Sequence, residues 1–152
     1  MRRGSVRREA VIRAAPGDVW RVVGRPDVLH HWFPGVVGCV VEGDTRTVTL
    51  ATGLVLREAL LTCDPLQRRF QYRISGPPFA EHLGSIDVVA LAGGRSLVVY
   101  ASDAAPATMA VVLGGATGAA LAELRRQFEA GGGPALEAVA GAPAHPTHPE
   151  GS

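Results

Sequence analysis

The sequence predicts an α+β domain in which a seven-stranded antiparallel sheet wraps around one long helix near the C-terminus. Seven segments are strand-like, several of them with two-residue apolar–polar alternation, and only short turns join the last six. Residues 107–129 instead carry apolar side chains at helical spacing. Connections this short join antiparallel neighbours, because a parallel pair needs a crossover of a dozen or more residues.

The chain begins with a predicted strand over residues 6–13, followed by two short helices. Pro16 suits the first turn of the first helix, since the missing N–H of proline is not needed there. The apolar stripe of this helix consists of Val19, Trp20 and Val23. Arg25-Pro26-Asp27 ends it, and residues 28–32 can form a second short helix before Pro34-Gly35.

Six further strands are predicted to form a meander. Each junction between them carries turn residues, such as Gly43-Asp44 and Asp64-Pro65. The predicted strands span residues 36–42, 45–51, 54–63, 68–75, 81–91 and 95–102.

The long helix over residues 107–129 is predicted to cover the sheet and to end at Gly131-Gly132-Gly133. Its apolar face consists of Met109, Leu113, Ala116, Ala120, Leu124 and Phe128. Three glycines interrupt the middle of the helix, where each costs about 1 kcal/mol relative to alanine. They are Gly114, Gly115 and Gly118. Two explanations stay open: close packing of helix on sheet, or room for a ligand between them.

The domain organisation expected is a single domain over residues 1–133 and a partly disordered tail over residues 134–152, rich in Ala, Pro, Gly and His. The basic N-terminus is not followed by the apolar core of a signal peptide, which favours a cytoplasmic location. Residues 104–122 carry no charge and have the length of a bilayer helix. Their Ala, Gly and Thr content favours a buried helix, so no membrane span is expected.

Composition excludes several classes of function. The net charge of +1 offers no broad basic surface for nucleic acid. All 15 basic residues are arginine, and without lysine no Schiff base can form on a lysine side chain. Cys39 and Cys63 lack metal-ligand spacing and are expected to be free thiols, while the adjacent His30 and His31 point to different sides of a short helix. No metal and no cofactor are therefore expected.

Three polar side chains lie at strand positions where the alternation demands apolar ones. Glu58 shares its face with Leu54, Leu56 and Leu60. In the next two strands Tyr72 lies between Phe70 and Ile74, and His82 lies on the face of Gly84 and Ile86. A buried charge is costly unless it is paired or lines a cavity, so this pattern predicts a pocket.

The order of elements, the segments Ile12–Trp20 and His31–Gly35, and the pair Arg57-Glu58 shortly before Asp64 resemble the START/Bet v1-like (SRPBCC) superfamily. Within it the chain is most similar to the polyketide cyclase/dehydrase branch, from about residue 6 to residue 128. The resemblance implies a helix-grip fold with a deep, mostly apolar cavity between sheet and long helix. It implies no single activity, since members include lipid carriers, hormone receptors and aromatic polyketide cyclases.

Glu58 is the strongest candidate for catalysis. Its leucine neighbours would desolvate the carboxyl and raise its pKa, as a general acid or base requires. The resemblance also implies that it faces the cavity. His82 or Tyr72 could supply the second group of an acid–base pair. The alternatives are a structural carboxylate satisfied by an Arg or Tyr, a singly bonded buried histidine, and a tyrosine that only forms a wall of the cavity.

Two functions stay open at this point. One is binding of a hydrophobic or aromatic small molecule together with cyclisation or dehydration of a polyketide-like substrate by acid–base catalysis. The other is a non-catalytic carrier or sensor for a hydrophobic ligand; self-association as a homodimer is left open. The side chains expected to contact the ligand are Trp32, Phe33, Leu56, Phe70, Ile86, Tyr100, Met109 and Leu113.

Overall fold

The structure, a computed structural model, describes residues 2–141. Its seven strands form one sheet of order β1-β7-β6-β5-β4-β3-β2, in which every neighbouring pair is antiparallel. The predicted α+β helix-grip fold is thereby confirmed, with short helices after the first strand and one long helix after the last. The strands are β1 (Gly4–Ile12), β2 (Val36–Glu42), β3 (Thr45–Leu50), β4 (Val55–Asp64), β5 (Arg69–Ser75), β6 (Glu81–Leu91) and β7 (Arg95–Ala105). The helices are α1 (Pro16–Val23), a 3₁₀ helix (Pro26–His31), α2 (Ala107–Ala130) and α3 (Pro134–Val139).

Helix α2 packs against β1 and β7, and two of its glycines explain how closely it approaches. A Cβ atom on Gly114 would lie 2.8 Å from Cγ2 of Val6, and one on Gly118 would lie 2.7 Å from Nη2 of Arg8. Both positions therefore require close packing of helix on strand, the first of the two explanations offered by the sequence. Gly115 has nothing within 4 Å of such an atom.

The C-terminal half of α2 lies in a solid core. Leu121 and Leu124 are buried there with α1 and the 3₁₀ helix. The side chain of Gln127, which is 0 % exposed, ties this region together. Its Nε2 donates to the carbonyl of His31 at 2.9 Å, and its Oε1 accepts from the N–H of Ala135 in α3 at 2.9 Å.

Helix α3 lies within the segment expected to be a tail. Its Ala135 and Val139 are buried against the domain, and Arg21 donates to the carbonyl of Val139 at 3.1 Å. Residues 134–139 are therefore packed onto the domain, while the expected disorder at the end of the tail falls on residues 142–152, outside the described part of the chain.

Helix α2 is also the one helix of the described chain with the length and composition to cross a membrane, at a mean hydropathy of 1.5. Its contacts with β1 and β7 account for this composition, because a helix that covers a sheet needs an apolar face.

Candidate functional site

A cavity of about 310 Å³ lies between the sheet and the first half of α2. Leu54 and Val112, which are 45 % and 60 % exposed, mark its open side. Its wall is apolar except for a few side chains, because β3, β4 and α2 turn their apolar faces inward here. It is lined by residues 29, 33–36, 48, 50–52, 54, 56, 58, 72, 74, 78, 79, 100, 109, 112, 113 and 116.

The charge of Glu58, one of these lining residues, is balanced by Arg46. The two residues are register partners on β3 and β4, and Nε of Arg46 donates to Oε1 of Glu58 at 2.6 Å. Their side chains are only 3 % and 4 % exposed. Burial raises the pKa of Glu58 above its ordinary value, and the Arg46 guanidinium opposes that rise. The pair can therefore hold a carboxylate inside the domain without leaving an unpaired charge.

Further contacts fix the Arg46 guanidinium in place. Nη1 donates to the carbonyl of Pro26 at 3.2 Å, and the guanidinium carbon lies 5.3 Å and 5.1 Å from the ring centroids of Phe70 and Tyr72. Arg46 is not among the candidate residues predicted from the sequence. The same strand alternation that indicated Glu58 could have found it, since Arg46, Val48 and Leu50 share one face of β3.

Tyr72 and Tyr100 form a second buried pair. Their hydroxyl oxygens lie 2.5 Å apart, and burial raises the pKa of both phenols well above the ordinary value. The ring of Tyr72 lies over Gly84, where a Cβ atom would come within 2.5 Å of Cζ. Gly84 therefore makes room for this tyrosine, and both tyrosines line the cavity beside Glu58.

His82 has a different environment. Hydrogen-bonded pairing of β5 with β6 ends at Tyr72 and Gly84, and beyond it the imidazole bridges the two strands. Its Nδ1 accepts from the N–H of Ile74 at 2.9 Å, which assigns the proton of the neutral ring to Nε2. Burial, assisted by the charge of Arg73, lowers the pKa of His82 to about 4.

The structure thus brings together two of the three candidate catalytic residues. Glu58 and Tyr72 line the cavity, whereas His82 lines a separate groove of about 460 Å³ beside Arg73 and Glu81. The rings of His82 and Tyr72 are neighbours, with centroids 5.4 Å apart. His82 therefore supports the end of β5 from behind the cavity wall.

The predicted ligand contacts divide in the same way. Five of them line the cavity: Phe33, Leu56, Tyr100, Met109 and Leu113. The other three, Trp32, Phe70 and Ile86, are buried in the core. Trp32 supports the wall from outside it, since its ring packs against those of Phe33 and Tyr100 at centroid distances of 6.1 and 6.5 Å.

Within residues 2–141 no three side chains of the His, Cys, Asp and Glu types come together as metal ligands. Both cysteines are free thiols, and Cys39 donates to the carbonyl of Pro26 at 3.1 Å. The buried polar side chains that line the cavity are Glu58, which is paired with Arg46, and the two phenols, and these groups can orient a ligand or exchange a proton with it.

An open antiparallel sheet that encloses a cavity against a long C-terminal helix defines a START/Bet v1-like helix-grip protein. The family model described as "Polyketide cyclase / dehydrase and lipid transport" matches residues 3–131. The chain belongs to that family. No curated protein sequence matches it.

Solved structures show the same fold. The protein XoxI from Bacillus cereus is 21 % identical, with a TM-score of 0.77 over 83 % of this chain and 96 % of that one. A START superfamily protein from Mycobacterium smegmatis is 16 % identical, with a TM-score of 0.69 over 83 % and 97 %. The di-domain ARO/CYC BexL from the BE-7585A biosynthetic pathway is 19 % identical, with a TM-score of 0.71 over 85 % of this chain and 47 % of that one.

Proposed function

We propose that the chain binds one compact, mostly apolar small molecule in the cavity between sheet and α2. The apolar lining of that cavity carries the proposal, since each Å² of apolar surface removed from water contributes about 25 cal/mol. Its volume of about 310 Å³ lies at the lower end of the range of about 300–1,000 Å³ typical of small-molecule sites. This favours a compact ligand over a long acyl chain.

Binding without chemistry is the form of the proposal that the contacts favour. Glu58 is held by Arg46, and Nδ1 of His82 is occupied by the N–H of Ile74. The Arg46 guanidinium stabilises the charged form of Glu58 and so weakens it as a base, and His82 lies behind the cavity wall, away from a ligand proton. A carrier or sensor needs only the apolar wall and the fixed polar groups.

A pair of alanines on α2 allows a matched test. Ala116 lines the cavity, whereas Ala119 is exposed on the same helix. The neutral fluorophore 1-aminoanthracene should bind the wild-type protein and the Ala119→Phe variant equally. Ala116→Phe should weaken this binding at least tenfold, because the added ring fills the cavity. Equal binding by both variants, or no binding by the wild type, would contradict the proposal.

A second candidate function is ring closure or dehydration of a polyketide-like substrate. Burial raises the pKa of Glu58, which is the direction that general acid–base catalysis by a carboxyl requires, and the family description includes cyclases and dehydrases. Wild-type protein and Glu58→Gln would be incubated with linear poly-β-ketone substrates and the products analysed by chromatography and mass spectrometry. Product formed by the wild type and not by the variant would support catalysis. Identical products from both would remove Glu58 from the mechanism.

Homodimer formation and a cytoplasmic location stay predictions from the sequence. Sedimentation equilibrium over a range of protein concentrations would test the first, and fractionation of the host cells the second.

A further inference from the structure

The polar side chains of the cavity are few and lie in two groups. Among its lining residues only Thr52, Glu58, Tyr72 and Tyr100 have side chains with oxygen atoms. Thr52 belongs to the exposed turn between β3 and β4, whereas the other three are at most 4 % exposed. Arg46 contacts both Glu58 and the ring of Tyr72, and the hydroxyl of Tyr72 is hydrogen-bonded to that of Tyr100. We call the side chains of Glu58, Tyr72 and Tyr100 the polar floor of the cavity.

The polar floor contains one acceptor without a donor. Both contacts of Arg46 with Glu58, from Nε and from Nη2, go to Oε1 at 2.6 Å. Oε2 receives no side-chain or backbone hydrogen bond from residues 2–141. Oε2 is not one of the fully enclosed polar atoms that lack a partner, so it can be reached from the cavity and can accept a hydrogen bond from a group on the ligand.

The polar floor also contains one donor without an acceptor. Tyr72 and Tyr100 have two hydroxyl protons, and the bond between their oxygens uses only one of them. The hydroxyl that accepts this bond keeps its own proton, for which the described residues provide no acceptor. The cavity therefore presents one unpaired acceptor and one unpaired donor on neighbouring side chains.

We propose that the ligand is a neutral molecule that places a hydroxyl group against the polar floor. This inference rests on the proposed binding function. A hydroxyl oxygen accepts from the free tyrosine proton while its own proton is donated to Oε2 of Glu58. A carboxylate cannot donate and is repelled by Glu58, the sole charged residue of the lining. An ether or a simple hydrocarbon leaves at least one of the two groups unpaired.

Compact naphthalene derivatives can test this selectivity by displacement of 1-aminoanthracene at neutral pH. 2-Naphthol should bind at least tenfold more tightly than naphthalene and than 2-naphthoate, which share its ring system. Equal affinity for the three probes, or tighter binding of 2-naphthoate, would overturn the inference while leaving the binding function in place. Failure of all three probes and of the fluorophore to bind would overturn the binding function and the inference with it.

The tyrosine pair provides a second test, because one hydroxyl alone still has a free proton. Tyr100→Phe should therefore keep the preference for 2-naphthol over naphthalene. The double variant Tyr72→Phe/Tyr100→Phe removes the donor without changing the ring volume, and the preference should fall at least threefold. Removing both partners of a buried hydrogen bond together leaves no orphaned group, so this variant is expected to fold. An unchanged preference in the double variant would show that the tyrosines do not donate a hydrogen bond to the ligand hydroxyl.

Discussion

The two halves of α2 face very different interiors. Toward its C-terminus Leu121, Leu124 and Gln127 are at most 2 % exposed, in a core closed by α1, the 3₁₀ helix and α3. Toward its N-terminus Met109 and Leu113 border an open volume of about 310 Å³. Around its C-terminal half, α2 thus forms a packed end of the domain, and around its N-terminal half it forms a hollow end. The difference is that α1, the 3₁₀ helix and α3 fill the interior only at the packed end.

The wall of the hollow end contains two buried polar contacts that join neighbouring parts of the sheet. Arg46 and Glu58 connect β3 to β4, and the hydroxyls of Tyr72 and Tyr100 connect β5 to β7. Such pairs keep their side chains in fixed positions, because separating them would leave buried groups without partners. We therefore expect the loss of a buried polar contact to lower the free energy of unfolding most at the hollow end. Truncation of an apolar side chain should lower it most at the packed end.

The largest effect is expected from separating the buried ion pair. Arg46→Met should lower the free energy of unfolding by about 3–5 kcal/mol, because it leaves the Glu58 carboxylate buried without a counter-charge. The double variant Arg46→Met/Glu58→Leu should recover most of this loss, since no charge remains. Urea denaturation of the three proteins measures both values. A stable single variant would mean that the hollow end does not depend on the pair.

Leucine truncation on α2 compares the two ends directly. Leu124→Ala should cost about 2–5 kcal/mol, because Leu124 is fully buried and its removal leaves a void in a packed core. Leu113→Ala should cost no more than about 1 kcal/mol, since the side chain already borders open space. Urea denaturation of both variants provides the comparison. Equal losses would show that the hollow end is as tightly packed as the other.

A pH titration tests the bridge between β5 and β6. The folded protein keeps His82 neutral down to its pKa of about 4, whereas the unfolded chain binds a proton near the ordinary value of 6.5. The unfolded state thus binds more protons in this window, so stability is complete above about pH 6.5 and falls as the pH drops toward 4.

The neighbouring charges of Arg73 and Asp103 act on the pKa of His82 in opposite directions. We expect a loss of about 2 kcal/mol between pH 6.5 and pH 4, since each pKa unit corresponds to about 1.4 kcal/mol and solvent screens part of the shift. The His82→Asn variant keeps an acceptor for the N–H of Ile74 and should lose this pH dependence. Unfolding curves at five pH values give the stability of both proteins as a function of pH. The same pH dependence in both would show that His82 is not its source.

A smaller loss than that from separating the ion pair is expected at the junction of α2 with α3. Gln127→Leu should cost about 1–3 kcal/mol, because the carbonyl of His31 and the N–H of Ala135 lose their partner. Hydrogen exchange of the α3 amides should speed up in this variant. Gln67→Leu, on an exposed turn, serves as the control and should leave both properties unchanged.

The sequence was sufficient to predict the sheet and the long helix that covers it, because each of these elements has its own local signal. Strand alternation, turn residues and the helical spacing of residues 107–129 predicted the order of the elements, and their bounds differ from the observed ones by only a few residues. The short connections then determined the antiparallel pairing. Helix α3 was missed, since six residues give too little periodicity and its burial depends on Gln127.

The site could be predicted only in part, because alternation gives the direction of a side chain and not its partner. It placed Glu58 and Tyr72 toward the interior, where both line the cavity. It could not reveal that Arg46 faces Glu58, since that contact depends on the register of β3 against β4. The bond from Ile74 to His82 likewise depends on where the pairing of β5 with β6 ends.

The open volume beside α2 also determines how the protein responds to compression. Unfolding eliminates internal space that the folded chain packs incompletely, so the unfolded system has the smaller volume. High pressure should therefore unfold the ligand-free protein more readily than the Ala116→Phe variant, in which a ring occupies part of the cavity. A bound molecule would have the same protective effect, and resistance to pressure becomes a measure of how completely a ligand fills the site.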